Sequence, residues 1–494
     1  MRKYSIWILL LCICIIIAGC GGGSSSTGGG NNHPTELPGS DDPSLFVLSN
    51  GEEAKLTSFG GKEIHTLIAC IPMGEKPEAN NIYGVSTYSY QLTTAASGNV
   101  GSSILRESRL ASRTAVSSAQ SEKDRLLRNQ ESEILSRGLK QLSKSESYQK
   151  SAPSGIKVGT EWNDVYVNDR RKVNLICQHI SKRAYFFVDQ RDVAEMKSWM
   201  KEYGDAFDVI YNMIHSKFGT ENDVDGNGKI IIVFSRELSG GLLGYFYAVD
   251  KFSKETFEKS NEGDIIYITT TSEYQGDLIK ATMAHEFQHM VYFDEHYNRG
   301  TLSTYTWLNE ALSQAAEYYS GYLNNHESWI RGFLSGDYSG LSLTHWTDWR
   351  DDNYGYGAIF MRYLIDCYGS NITKALCATN KVGIAAVEAA TRENFNITFA
   401  NFARALVMSG TGDSSKAKYQ FKSLDLQAIQ RKGRGGLISV YPNLDSGVTV
   451  ESWRLYPYGI YPYGIEFFSL KPNVETVKLS WDKWIHGVGF ALKR

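Results

Sequence analysis

Residues Ala281 to Phe293 read ATMAHEFQHMVYF, and the interpretation of the whole chain turns on them. Two histidines, His285 and His289, stand four residues apart, and Glu286 follows the first directly. On a helix, positions i and i+4 lie one above the other, so both imidazoles can present a nitrogen to one ion. Glu286 is offset by about 100° around the helix axis. It lies beside such an ion, within reach of a water held there. A helix is supported locally: Asp277 follows Gly276 as a candidate N-cap, and no Gly or Pro interrupts Leu278 to Asn298.

A five-residue pattern arises by chance in unrelated helices, where two histidines are simply core residues. The pattern gains weight from TWLNEALSQAAEYYS, Thr306 to Ser320, a second amphipathic run. Its Glu310 is far enough downstream of His289 for a loop and the start of another helix. Two histidines and one carboxylate would leave a fourth position open for water, the arrangement of catalytic rather than structural zinc.

HEFQH followed by WLNEALS resembles the gluzincin (thermolysin-like) metallopeptidases, and more nearly the hyicolysin-like family of bacterial neutral metallopeptidases. FGTENDVDGNGKIIIVF upstream and NYGYGAIFMRYLIDCYG downstream resemble that group more loosely, over roughly 158–408. The resemblance implies an α+β zincin-type core, a mixed sheet beside an active-site helix with a mostly helical second half. It implies His285, His289 and Glu310 as zinc ligands and Glu286 as general base, acting on protein or peptide substrates. The chain departs from the family pattern at Gln314, which stands where an acid should orient the first histidine. The Gln314 carbonyl can still accept the imidazole N–H, and Glu317 lies on nearly the same helical face. Tyr354, Tyr356, His326 and His345 are the candidates for a donor to a tetrahedral oxyanion.

DVDGNGKI places Asp223, Asp225 and Asn227 at alternating positions before Gly228, like the first half of a calcium loop. Phe234 occupies the position where the closing bidentate carboxylate belongs. The expectation is a calcium turn completed from elsewhere, or else a polar turn without an ion.

The 494 residues carry a net charge of −3 and a pI near 6.4, which gives no basic field for nucleic acid. At the N-terminus, MRKYSIWILLLCICIIIAGC has a basic start and an apolar core too short to span comfortably. Residues 1–20 read as a lipoprotein signal peptide, with Cys20 as the lipidated residue of the bacterial lipobox Ile17-Ala18-Gly19-Cys20. Residues 21–43 are a Gly/Ser-rich tether that cannot bury a core. The expected location is the bacterial cell envelope, with the protein exported and held to a membrane by its acyl anchor.

Residues 44–150 read as a β-rich region followed by a long charged helix, Ile104 to Leu142, mostly exposed. That helix is a solvated connector, a propeptide or a partner helix. Residues 156–430 form the metallopeptidase domain and 436–494 a C-terminal β-rich segment. After Cys20, Cys70, Cys177, Cys367 and Cys377 are too few for a disulfide scaffold; Cys367 and Cys377 either pair or stay buried free thiols. The functional expectation is an exported zinc endopeptidase. The rival is a surface binding or adhesin lipoprotein that keeps a zincin fold without catalysis.

Overall fold

The computed structural model describes residues 45–48, 53–55, 64–69, 71–72, 90–95, 119–142, 152–168, 171–335, 341–346, 351–409, 420–426, 440–444, 449–451, 463–470, 474–481 and 485–491. The leader, the tether and Cys20 lie outside them.

Five short strands come first: β1 (Leu45–Leu48), β2 (Glu53–Lys55), β3 (Ile64–Ala69), β4 (Ile71–Pro72) and β5 (Tyr90–Ala95). Helix α1 (Ala119–Arg137) follows, then strands β6 (Glu161–Val167), β7 (Arg171–Ile180) and β8 (Ala184–Asp189). Helices α2 (Val193–Met196) and α3 (Met200–Lys217) precede β9 (Ile230–Ser235), β10 (Gly244–Phe246) and β11 (Ile265–Thr269). A turn at 197–199 separates α2 from α3. No Gly or Pro marks that break, so apolar periodicity runs straight through it.

The central sheet has the order β10-β11-β9-β8-β7-β6. Its middle strands β8, β9 and β11 pair in parallel, while β10, β7 and β6 are added antiparallel. Parallel strands are covered on both faces, which explains the unbroken apolar run of β9. Alternation sends Phe186, Ile232, Phe234, Ile266 and Ile268 to one side and Phe187, Ile231, Val233, Ile265 and Tyr267 to the other.

The first of those faces is covered by the helical half: α4 (Asp277–Asn298), α5 (Thr306–Ser320), α6 (Leu323–Ser335), α7 (Asp351–Tyr368), α8 (Ile372–Ala378), α9 (Gly383–Thr391) and α10 (Phe395–Met408). Helix α4 is sandwiched between sheet and α5, so every residue from Ala281 to Asp294 is buried. Gly276, at φ 84°, takes the N-cap position expected for Asp277, which becomes the first helical residue. Helix α5 ends at Gly321, whose φ of 82° gives the left-handed closure that glycine accepts without strain.

Lys251 fixes α4 against the sheet. It is wholly buried at the end of a single 3-10 turn, Ala248–Lys251. Its ammonium bonds to Asp264 before β11, to Asp294 of α4 at 2.7 Å, and to the Asn222 carbonyl at 3.0 Å. Burial acts to lower its pKa, but the two carboxylates raise it instead.

The last strands are β12 (Val440–Leu444), β13 (Thr449–Glu451), β14 (Ile465–Leu470), β15 (Thr476–Trp481) and β16 (Ile485–Ala491). They pair with the first ones. One sheet runs β1-β16-β3-β14-β12 and another β13-β5-β15-β2. The β-rich stretches at the two ends of the chain thus share hydrogen-bonded ladders, which no local sequence pattern announces. Cys177, Cys367 and Cys377 are all free thiols.

Candidate metal centre and its cleft

Helix α4 brings His285 and His289 to one face, and α5 brings Glu310 opposite them. The Glu310 Oε2 lies 3.3 Å from His285 Nε2 and 3.4 Å from His289 Nε2. Ligands about 2.0–2.1 Å from a tetrahedral zinc stand roughly 3.3–3.4 Å apart. Both oxygens of the buried Glu310 carboxylate lack any hydrogen-bond partner among the described residues. A buried, unsatisfied carboxylate facing two imidazole nitrogens is costly unless a cation sits between them. The donor set fits zinc.

The other ring nitrogens are held from behind. His285 Nδ1 lies 2.8 Å from Glu317 Oε1, and His289 Nδ1 lies 2.9 Å from Asn309 Oδ1. Each oxygen accepts the Nδ1–H, which leaves Nε2 as the lone-pair donor. Gln314 does not take the orienting role: its Nε2 donates to Glu317 Oε1 at 2.8 Å and steadies that carboxylate. Glu317→Ala should therefore weaken zinc binding about 10- to 100-fold, with Glu317→Gln intermediate. Competition against a chromogenic chelator measures this, and an unchanged affinity would remove Glu317 from the site.

Burial and neighbouring charges shift each of these groups. Burial, aided by the nearby Arg128 guanidinium, lowers His289 to about 3 and so keeps it neutral. Burial would raise Glu310, but His289 and His285 outweigh it and hold the carboxyl well below the usual range. Burial would lower His285, but the neighbouring Glu310 carboxylate and the hydrogen bond to Glu317 raise it. Burial raises Glu286 to about 8.

Glu286 leans toward the sheet edge, where its Oε2 accepts the Phe246 N–H at 3.0 Å. That contact requires Gly244 in β10. A Cβ there would lie 2.7 Å from Thr282 Cγ2 and 2.9 Å from the Tyr267 carbonyl. Strand β10 was missed in the sequence because three residues containing a glycine carry no strand signal; the close approach is tertiary.

Among the four oxyanion candidates, Tyr354 is the one that lines the cleft with His285 and Glu286. Tyr356 donates to the Tyr463 carbonyl at 2.9 Å, in the core. His326 lies tilted against the Tyr318 ring, and the His345 backbone N–H caps on Ser342 Oγ.

Asn227, one of the three expected calcium ligands, is committed to its neighbours. Asn227 Nδ2 donates to Asp225 Oδ2 at 2.6 Å, and the Asn227 N–H takes Asp225 Oδ1 at 3.0 Å. Asn227 Oδ1 accepts the Lys229 N–H at 2.7 Å. The alternating oxygens close the turn on itself. Asp264, and not Asn227, is the third acid near Asp223 and Asp225, and it is engaged by Lys251 and by the Val224 N–H.

The expected exposed helix is also corrected. Helix α1 covers only Ala119–Arg137 of the expected span, Ile104 to Ser118 lying outside the described residues, and it buries polar groups. Asp124, Arg128 and Glu131 are each about 1% exposed. Its thin apolar stripe hid this, because the surface it covers is a charged cleft.

No family model and no curated protein matches this chain. Among solved structures, native yeast LTA4 hydrolase is similar at 10% identity over 47% of this chain, with a TM-score of 0.26. This chain spans 43% of that structure. So slight a likeness leaves the reading of the centre to its own residues.

Proposed function

We propose that this chain is an exported zinc endopeptidase of gluzincin type, close to the hyicolysin-like family and anchored through Cys20 to the bacterial envelope. The single observation that carries the reading is the buried His285–His289–Glu310 triangle with Glu286 beside it at the sheet edge. Zinc, when bound, supplies a Lewis acid that polarises the scissile carbonyl and lowers the pKa of water toward about 7.

The chain's own groups do the remainder. Glu286 takes the proton of the attacking water and later passes it to the leaving amine. The Phe246 N–H fixes one of its oxygens, so the other is aimed. The Tyr354 hydroxyl is placed to donate to the developing oxyanion. The edge strand β10 offers N–H and C=O groups to an extended substrate.

The test is metal content with casein hydrolysis. The purified chain should hold one zinc, and with its cleft open it should release peptides from casein, stop when stripped by a chelator, and recover on adding zinc. A chain that binds zinc through these residues and still cuts nothing, with its cleft open, belongs to the adhesin reading.

A further inference from the structure

The catalytic groups are sealed. Glu286 is 1% exposed, and His289 and Glu310 are 0%. The cavity beside them, lined by Gln120, Asp124, Thr282, Glu286, Trp329 and Tyr354 among others, measures about 20 Å³. That is room for about one water and not for a peptide. The seal is α1.

Three of the contacts that seat that helix reach the cleft and its metal centre. The Gln120 carboxamide accepts the Leu243 N–H at 2.8 Å and donates to the Gly244 carbonyl at 3.0 Å. Those are main-chain groups at the sheet edge, where an added strand would bond; the side chain takes the place of a peptide unit. Asp124 Oδ2 accepts the Tyr354 hydroxyl at 2.6 Å. Arg128 Nε reaches within 3.8 Å of Glu310 Oε1, and its Nη2 lies 3.0 Å from Glu131. Apolar anchorage is slight: Leu127, Ile134 and Leu135 are buried, while Leu126 is 51% exposed.

We propose that α1 is an internal plug, a segment of the chain that occupies the substrate cleft and holds the enzyme latent until it leaves. This rests on the peptidase reading. The helix engages the edge strand, the oxyanion candidate and a metal ligand at once, so it excludes substrate from each.

The seat is built to be reversible. The Arg128 guanidinium is 1% exposed, yet among the described residues none of its nitrogens has a well-aligned hydrogen bond. Burying a charge so poorly satisfied is unfavourable. Its partner Glu310 is also a metal ligand, and a dication there opposes the guanidinium. Helix seating and metal loading therefore work against each other, and the coupling is reciprocal.

The test uses the full zinc-loaded chain beside Gln120→Ala/Asp124→Ala. Each hydrogen bond lost shifts the open population roughly fivefold, so the double variant, which loses the three just described, should open about 10²-fold. Two readouts are taken: the rate of zinc transfer to a chromogenic chelator, and casein hydrolysis. Both should rise, and a synthetic peptide of residues 119–137 added in trans should lower hydrolysis again. Equal rates of zinc transfer and hydrolysis in wild type and variant would overturn the plug. Faster zinc transfer with no hydrolysis in either chain would uphold the plug and remove the peptidase. If the double variant does not fold, Gln120→Ala alone, at a half-buried position, gives the same comparison.

Discussion

A Glu286→Gln chain keeps its zinc and loses about 10²- to 10⁴-fold in peptide hydrolysis, the usual contribution of a positioned general base. The two effects separate because Glu286 is not among the residues that converge on the ion. Its Oε2 is tied to the Phe246 N–H at 3.0 Å, while His285, His289 and Glu310 form the triangle. Glutamine preserves the shape of the side chain and removes its capacity to take a proton. The comparison is made on the Gln120→Ala/Asp124→Ala background, so that access to the cleft does not mask the chemistry. Zinc stoichiometry and casein hydrolysis are read together. If the variant hydrolyses casein at the parent rate, Glu286 is not the base. If parent and variant are equally inert with full zinc, the adhesin reading replaces the peptidase.

The second large effect is on stability. Lys251→Met should cost about 3–5 kcal/mol, because it strands two buried carboxylates that now share one ammonium. Asp264 and Asp294 are essentially inaccessible, and Asp294 is further committed to the Asn222 N–H and the Gln141 amide. Urea unfolding followed by tryptophan fluorescence measures the loss, and Lys251→Met/Asp294→Leu should recover part of it. The pH dependence has a definite sign. Burial already raises Asp264 to about 8 and raises Asp294, and the lysine is what opposes that rise. Without it both acids move further up, so the folded variant binds protons more tightly than the unfolded chain. Its deficit should grow as pH rises through about 8, the value Asp264 has with the lysine present, and be smaller below it. A pH-independent deficit would mean that the triad is not the cause.

Much of the centre was legible because it is local. His285, Glu286 and His289 follow from helical geometry alone, and α5 spans the expected Thr306–Ser320. Glu310 was found because its helix is amphipathic and short-looped from α4. What could not be read depends on contacts between distant segments. Glu317 and Gln314 share a face of α5, and only the position of His285 decides which one touches it. The strand β10 exists because Gly244 admits α4 closely. The Asp223–Asn227 spacing looked like a metal loop because a self-bonded turn needs the same alternating oxygens. Helix α1 failed in the opposite way: hydrophobic periodicity detects a helix lying on an apolar core, and α1 lies on charges. The pairing of the terminal strands is the extreme case, since neither ladder has any sequence proximity.

That pairing sets an order of events in biogenesis. Strand β1 bonds to β16, and β3 to β14 and β16, so the first strands made have no partners until the last residues have emerged. The earliest part of the chain is then among the latest to fold, reversing the usual N-to-C progression during synthesis. Until then its strand edges are open to other chains, and a polypeptide truncated at either end would leave them open permanently.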